Sequence, residues 1–134
     1  MSAPSARSFL GATSDGVACG LRLERTGAFV IADLKLAGDS STRRRGLLGR
    51  TSLADGEGLV IVPSQGIHTF GMQFPIDVLG VARDGRVLKI RSAVPARRLV
   101  FCFRAFAMVE LPAGAAARIS LQVGDTLIAA PSGS

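Results

Sequence analysis

The segment GIHTFGMQFPIDVLGVARDGRV, residues 66–87, decides the fold of this chain. Its second half is apolar and ends at Asp84 and Gly85. An Asp-Gly pair between two apolar strands is a strong hairpin signal, because a type I′ turn needs positive φ at both central residues. The segment therefore predicts an antiparallel hairpin, and with it a fold built from β-strands.

This hairpin also predicts which side chains share a face of the sheet. The expected cross-strand pairs are Ala82 with Val87, Val81 with Leu88, Leu79 with Ile90, and Asp77 with Ser92. Because side chains alternate along a strand, Asp77 shares the apolar face with Leu79 and Val81. The opposite face carries Lys89 and Arg91, and we expect it to be the wetter one.

Asp77 is a carboxylate on a face that should be buried. A buried carboxylate must be hydrogen-bonded, paired or protonated. One interpretation is structural: Asp77 accepts backbone N–H or arginine hydrogen bonds and fixes residues 70–75. The other is functional: Asp77 lies at the floor of a pocket as an acid, a base or a group that orients a ligand.

His68 is the single histidine of the chain and precedes Asp77 by nine residues. It is either a structural residue or one half of a His–Asp acid–base pair. Such a pair would still need a nucleophile, and Ser64, Thr69 and Cys102 lie outside any nucleophile motif. Met72 is expected to line the core or the same pocket.

Outward from this segment, short apolar stretches alternate with turn signals. Strands are predicted within residues 21–36 and over 59–62, 87–93, 107–111 and 126–130, and residues 99–103 form a short apolar run. A short helix is predicted over 42–48, and residues 115–121 form a helical turn or a strand. The pattern is typical of a mainly β domain (a β-rich α+β fold): a compact small barrel or sandwich of short strands with one or two short helices.

Length and composition fit a single folded domain. The chain has 134 residues, of which 48% are hydrophobic and 19% charged. We expect a flexible arm over residues 1–20, one β-rich domain over 21–130 and a short tail over 131–134. No apolar run approaches the roughly 18 residues that cross a bilayer. The N-terminus lacks a basic start and a long apolar stretch, so a cytoplasmic location is expected, with the envelope as the alternative if a signal was removed.

The net charge of +6 rests on 14 arginines and only 2 lysines. Such a balance permits binding to nucleic acid, acidic protein or anionic lipid. The arginines are scattered apart from two short clusters, 43–45 and 97–98, and no aromatic platform accompanies them. Nucleic-acid binding through the arginine-rich helix is therefore kept only as an alternative.

The chain offers few candidate ligands for a metal. Its two cysteines, Cys19 and Cys102, match no metal or redox spacing, and there is one histidine. We expect two free buried thiols, with a disulfide between them as the alternative. No metal and no cofactor are expected.

Several motifs occur in a fixed order: RRRGLLGRTSL, HTFGMQFPIDVLGVARDGRVL, VELPAG and VGD. Over roughly residues 28–129 this order resembles the prokaryotic domain of unknown function family 192, and within it a His-Thr-Phe-x-Met subgroup. The matching positions are Arg43, Gly46, Leu47, Arg50, Met72, Pro75, Asp77, Glu110, Pro112, Gly114, Gly124 and Asp125. Many members carry a Trp-Met-Lys-Asn stretch followed by a longer spacer. In this chain Phe70, Gly71 and Met72 replace that stretch, and the spacer is shorter. The resemblance implies a compact, mostly β fold and supplies no reaction.

Glu110 lies among apolar neighbours in the stretch MVELP. One interpretation is an ion pair with Arg43 or Arg50 that holds the predicted helix to the sheet. The other places these arginines, Asp77 and Glu110 around one polar cleft, with His68 at its rim. Arginine recognises anions through bidentate contacts, so such a cleft would bind a small polar ligand or a peptide end.

These observations favour a non-enzymatic domain that binds a ligand or a partner protein. The expected binding residues are His68, Met72, Asp77, Arg43, Arg50 and Glu110. The alternative is a hydrolase-type enzyme that uses His68 and Asp77 as an acid–base pair. The sequence indicates neither the ligand nor the oligomeric state.

Overall fold

The computed structural model describes residues 19–37 and 52–131. These residues form ten strands and one short helix. The elements are β1 Cys19–Leu23, β2 Phe29–Ile31, β3 Asp33–Ala37, β4 Glu57–Ile61, β5 Gly66–His68, β6 Ile76–Val81, β7 Val87–Val94, β8 Leu99–Phe101, β9 Ala107–Pro112, α1 Ala115–Arg118 and β10 Leu127–Pro131.

The strands are arranged in three sheets. A five-stranded sheet has the order β3-β4-β9-β6-β7, a three-stranded sheet the order β10-β1-β2, and β5 pairs with β8. Strands β3 and β4 are parallel, whereas the other pairs are antiparallel. The predicted mainly β fold is confirmed, and the described strands form separate layers rather than one closed sheet.

The five-stranded sheet carries apolar side chains on both faces. On one face, which we call the helix face, side chains of β4, β6, β7 and β9 pack against β1, β2, β10 and α1. On the other, the β8 face, side chains of β4, β6, β7 and β9 pack against β8, Met72 and Ala105. The sheet is therefore the middle layer of the described part of the fold.

Strand β6 is the centre of this arrangement. All six of its residues are buried, so the predicted wetter face of the hairpin is buried as well along this strand. Close packing on the β8 face depends on Gly80, because a Cβ added there would lie 2.5 Å from the Cβ and Sγ atoms of Cys102. The hairpin pattern did not reveal this second layer, since the cover comes from a distant strand.

The hairpin is present, but its turn differs from the prediction. Gly85 has a φ of +94°, whereas Asp84 is not among the described residues with positive φ. The Gly85 N–H donates to the Ala82 carbonyl, and the Ala82 N–H donates to the Arg86 carbonyl, both at 2.9 Å. These bonds define a three-residue loop, 83–85, with a glycine at its end, which is typical of a turn followed by a bulge.

This turn changes the register of the hairpin. Next to the turn, Val81 pairs with Val87 instead of Leu88, and Leu88 is an extra residue at a bulge. Beyond the bulge the predicted pair of Leu79 with Ile90 is confirmed, and Gly80 with Lys89 has the same register. A second irregularity between Ile76 and Val78 removes the predicted pairing of Asp77 with Ser92. Bulges raise the local twist, which lets β7 follow the curved sheet edge.

The other predictions can be compared element by element. The strands within 21–36 are β1 to β3, and residues 115–118 form a helical turn. Strand β5 was not predicted as a separate element. The predicted helix over 42–48, residues 1–18 of the predicted arm and residues 132–134 of the tail lie outside the described residues. Cys102 is a free, buried thiol, so the alternative of a disulfide with Cys19 is not formed. Within the described ranges, no helix is both long and apolar enough to cross a membrane.

Candidate functional site

Asp77 lies on β6 with its side chain on the helix face, and it is fully buried. Its Oδ1 accepts hydrogen bonds from the N–H groups of Ala93 at 2.8 Å and Gly114 at 3.2 Å. Its Oδ2 accepts one from the N–H of Ala116 at 3.0 Å. Three backbone donors therefore satisfy one buried carboxylate.

The contacts of Asp77 connect two segments that are distant in sequence. Gly114 and Ala116 begin helix α1, so Asp77 caps this helix from a neighbouring strand. Ala93 has a φ of +48°, a conformation that few residues with a side chain adopt, and its N–H is fixed by Asp77. The structure thus gives Asp77 the geometry of the structural interpretation, but the segment it holds is not the predicted one, 70–75.

Glu110 lies on the opposite face of the same sheet. On β9 it is the register partner of Val78 and Leu59, and both side chains belong to the β8-face cluster. The residue is 6% exposed, and burial raises the pKa of its carboxyl group from 4.5 to about 7. Desolvation disfavours the charged form, so Glu110 takes up a proton near neutral pH.

The predicted single cleft would need Asp77 and Glu110 to meet. They do not, because Asp77 faces α1 whereas Glu110 faces the β8-side cluster. Arg43 and Arg50 lie outside the described residues, so an ion pair between either arginine and Glu110 stays a prediction.

His68 and Asp77 are also not brought together. His68 is exposed at the end of β5, where it pairs with Leu99 of β8, and its ring lies 5.6 Å from that of Phe70. Asp77 is on the far face of the five-stranded sheet, with both carboxylate oxygens bonded to backbone N–H groups. The acid–base pair of the hydrolase alternative is therefore not formed in this geometry.

Met72 and Thr69 are both buried close to β5. Met72 belongs to the β8-face cluster, which matches the expectation of a core side chain. The Thr69 hydroxyl donates to the Pro95 carbonyl at 2.7 Å and accepts from the Arg98 N–H at 2.9 Å. Thr69 therefore fixes the turn between β7 and β8, a role that the sequence did not suggest.

That turn borders an open cleft of about 410 Å³ between β7 and β8. The residues that line it are Lys89, Arg91, Ser92, Val94, Pro95, Arg98, Leu99, Val100 and Phe101. Three of these carry a positive charge, none carries a negative charge, and five are apolar. The Lys89 ammonium also donates to the Phe101 carbonyl, which links the two walls.

A signal for this cleft exists in the sequence. Residues 85–109 contain six basic residues and no Asp or Glu. The sequence pattern alone does not reveal the cleft, because these cations alternate with apolar residues over two strands and a turn. The fold brings Lys89, Arg91 and Arg98 to one cleft.

The described residues also bear on metal binding. Among residues 19–37 and 52–131, no group of three or more His, Cys, Asp or Glu side chains is placed to hold a metal ion.

Comparisons with known proteins agree with this fold. The family model described as DUF192, Uncharacterized ACR, matches residues 21–129. No curated protein matches the chain. A crystal structure from Sinorhizobium meliloti 1021, of a protein named as a candidate transcription regulator, is 24% identical with a TM-score of 0.74, covering 83% of this chain and 92% of that one.

A second crystal structure is similar to the same extent. It is of a protein of unknown function from Novosphingobium aromaticivorans DSM 12444, with 24% identity and a TM-score of 0.73, covering 84% of this chain and 86% of that one. At 24% identity, the similarity to these two structures shows a shared fold.

Proposed function

Because the chain belongs to the DUF192 family of uncharacterized proteins, we propose a function from the geometry of its own site. The protein is a binding module, and the cleft between β7 and β8 holds a ligand that joins an anionic group to an apolar group. No chemical step is part of this proposal.

The observation that carries the proposal is the composition of the cleft. Lys89, Arg91 and Arg98 converge on one concavity, and no carboxylate among its lining residues neutralises them. Like charges held close together repel, and an anion relieves that repulsion. Arginine binds carboxylate or phosphate oxygens through its planar fork of donors.

The apolar wall narrows the class of ligand. Val94, Leu99 and Phe101 line the same cleft, so an anion alone would leave this apolar surface in water. A ligand that carries an apolar group beside its charge would cover it, and burial of apolar area is worth roughly 25 cal/mol per Å². The volume of about 410 Å³ lies within the range of small-molecule sites.

Thr69 also fixes the turn that carries Arg98 at the edge of the cleft. Thr69 bonds to both Pro95 and Arg98, and Arg97 between them has a φ of +67°. A backbone in this region is strained and persists where the surroundings fix it. Arg98 is therefore placed before a ligand arrives, which lowers the entropic cost of binding.

Calorimetric titration of the protein with hexyl phosphate tests the proposal. Inorganic phosphate supplies the charge alone and 1-hexanol the apolar chain alone, so we expect hexyl phosphate to bind more tightly than either. The Arg91→Gln/Arg98→Gln double variant should lose at least about tenfold in affinity, since each charge-assisted hydrogen bond contributes roughly 1.5–3 kcal/mol.

Lys35→Gln is the matched control, because Lys35 is an exposed cation on β3 and does not line the cleft. It should bind hexyl phosphate as the unmodified protein does. Equal affinity in the double variant and the control, or no binding of any of the three compounds, would overturn the proposal.

A further inference from the structure

We infer that this protein docks on an anionic lipid bilayer through an apolar ridge beside the cleft. The inference rests on the proposed function, since the anionic amphiphile that enters the cleft would be a lipid. The ridge consists of Leu99, Phe101 and Phe103, together with Phe70.

The ridge follows from the alternation of one strand. In β8 and the residue pair after it, Val100 and Cys102 point into the β8-face cluster, whereas Leu99, Phe101 and Phe103 point to solvent. Their exposed fractions are 60%, 62% and 85%. Phe70, at 49%, lies next to His68 on the neighbouring strand. Single exposed apolar residues are ordinary, but a contiguous group marks an interaction site.

The position of Phe101 depends on the strand beside it. Its register partner on β5 is Gly66, and a Cβ added to this glycine would lie 2.8 Å from the Phe101 ring. The ring therefore covers the bare backbone of β5. Leu99 and Phe101 of the ridge therefore stand on a two-stranded sheet, whereas Phe70 and Phe103 lie in the turns that follow its two strands.

The charge around the ridge is of one sign. Residues 85–109 contain six basic residues and no acidic one, and the ridge occupies the end of this stretch. Arg98 and Arg104 flank it in sequence, and both are exposed. The surface thus combines protruding apolar side chains with cations, the combination that binds anionic headgroups and inserts into the layer below them.

Other occupants fit this surface less well. A second copy would bring the same cations face to face, at an electrostatic cost. Single-stranded nucleic acid stacks its bases on aromatic rings, and Phe70, Phe101 and Phe103 are such rings, contrary to the expectation that no aromatic platform accompanies the arginines. A lipid is favoured because Leu99 and Phe101 also form the apolar wall of the cleft, which an acyl chain would cover. Protruding side chains also differ from a groove, which is what a partner's own anchor residues would need. A bilayer accepts protruding apolar groups without a pre-formed pocket.

Co-sedimentation with vesicles tests the inference. Vesicles of equal parts phosphatidylglycerol and phosphatidylcholine should bind the protein, and vesicles of phosphatidylcholine alone should bind it at least about tenfold less. Phe70→Ser/Phe103→Ser should lose at least about tenfold in binding to the anionic vesicles, because it removes two aromatic side chains that would insert into the bilayer. Neither residue lines the cleft, so this variant should still bind hexyl phosphate.

Val123→Ser is the matched control for this variant. Val123 is 61% exposed but lies in a turn whose Gly124 N–H bonds to Val87, at the opposite end of β7 from the turn that leads into β8. It should bind vesicles as the unmodified protein does. Equal losses in both variants would show a nonspecific effect and overturn the inference.

The remaining outcomes separate this inference from the proposed function. If the protein binds hexyl phosphate but not anionic vesicles, the inference of bilayer docking is overturned and the proposed binding function of the cleft stands. Failure of both overturns both. Oligo(dT) that competes with the vesicles at the ridge would assign it to nucleic acid. A dimer that is seen in sedimentation velocity and is lost in the Phe70→Ser/Phe103→Ser variant would assign the ridge to a second copy of the chain. Either result overturns the inference.

Discussion

The two faces of the five-stranded sheet treat a buried carboxylate in opposite ways. On the helix face, Asp77 is fully buried and accepts three hydrogen bonds from backbone N–H groups. On the β8 face, Glu110 is 6% exposed, and none of the side-chain hydrogen bonds or ion pairs described between residues 19–37 and 52–131 involves its carboxyl group. The two residues lie on neighbouring strands, with similar burial and the same chemical group.

The difference shows that burial alone does not decide what a carboxylate does. Donors that are fixed in place convert Asp77 into a structural link between β6, β7 and α1. Burial makes the charged form of Glu110 unfavourable and raises the pKa of its carboxyl group to about 7. The helix face is therefore stabilised by Asp77, whereas the β8 face contains a carboxyl group, that of Glu110, whose protonation changes near neutral pH.

The largest effect is expected for Asp77→Ala, which would break the helix face. Three N–H groups would be left in a buried site, so the free energy of unfolding should fall by about 4 kcal/mol, measured by urea denaturation. Asp77→Asn should lose about 2 kcal/mol, because an amide keeps one acceptor oxygen but turns an NH₂ group towards backbone donors.

Asp84→Ala provides the comparison for this prediction. Asp84 accepts a single local hydrogen bond, from the Arg86 N–H, and is exposed. Its removal should cost less than about 1 kcal/mol. If Asp77→Ala were no more harmful than Asp84→Ala, the three-donor account of Asp77 would be wrong.

A smaller effect is expected for Glu110, whose carboxyl group makes the stability of the fold depend on pH. The folded protein holds its proton more tightly than the unfolded chain, because burial raises the pKa of Glu110 from 4.5 to about 7. This contribution is fully present below pH 4.5 and is lost as the pH rises through about 7. The free energy of unfolding should therefore fall by roughly 2–3 kcal/mol between pH 5 and pH 8.

The variant Glu110→Gln should remove this pH dependence while keeping the shape of the side chain. Denaturation at pH 5 and at pH 8 measures it, with the variant more stable than the unmodified protein at pH 8. An ion pair with Arg43 or Arg50 predicts the reverse, since stability would then rise with pH and Glu110→Gln would destabilise the fold. The sign at pH 8 decides between the two.

The smallest effect is expected for Thr69, a buried polar side chain whose hydroxyl group is hydrogen-bonded like the Asp77 carboxylate. Thr69→Val keeps the volume but leaves the Arg98 N–H without its acceptor, at a cost of about 1–2 kcal/mol in unfolding free energy. Because the turn then loosens around Arg98, affinity for hexyl phosphate should fall as well. Thr126→Val is the matched control, because Thr126 pairs with Arg86 at the opposite end of β7 from this turn.

A Thr69→Val variant that loses stability but binds hexyl phosphate unchanged would separate the fold from the cleft. In that case the turn would not position Arg98 for the ligand. Loss of both would place Thr69 among the residues that prepare the binding site.

Local patterns in the sequence predicted the mainly β fold well. The Asp-Gly signal located the hairpin, and the pairing of Leu79 with Ile90 is as expected. The turn was mispredicted because Asp-Gly also fits the end of a three-residue loop, in which only the glycine needs positive φ. That single residue changed only the pairing next to the turn, because the bulge at Leu88 restores the predicted register at Gly80 and Leu79.

The environment of Asp77 was predictable only in kind. Alternation along β6 indicated a buried carboxylate, and burial required hydrogen bonds. The donors could not be predicted, because Gly114 and Ala116 lie more than thirty residues away in sequence and reach Asp77 through the pairing of β6 with β9. The cleft escaped prediction for another reason: Lys89 and Arg98 are close in sequence, but the cations of this stretch alternate with apolar residues over two strands and a turn.

The pairing of β1 with β10 has a consequence for how this domain forms during synthesis. Cys19 lies beside Pro131, and Leu127 of β10 belongs to the helix-face cluster with Leu21 and Leu23 of β1. A ribosome delivers β1 more than a hundred residues before its partner strand. Until β10 emerges, one edge of β1 and part of this cluster stay uncovered, so the incomplete chain exposes the kind of surface that favours aggregation.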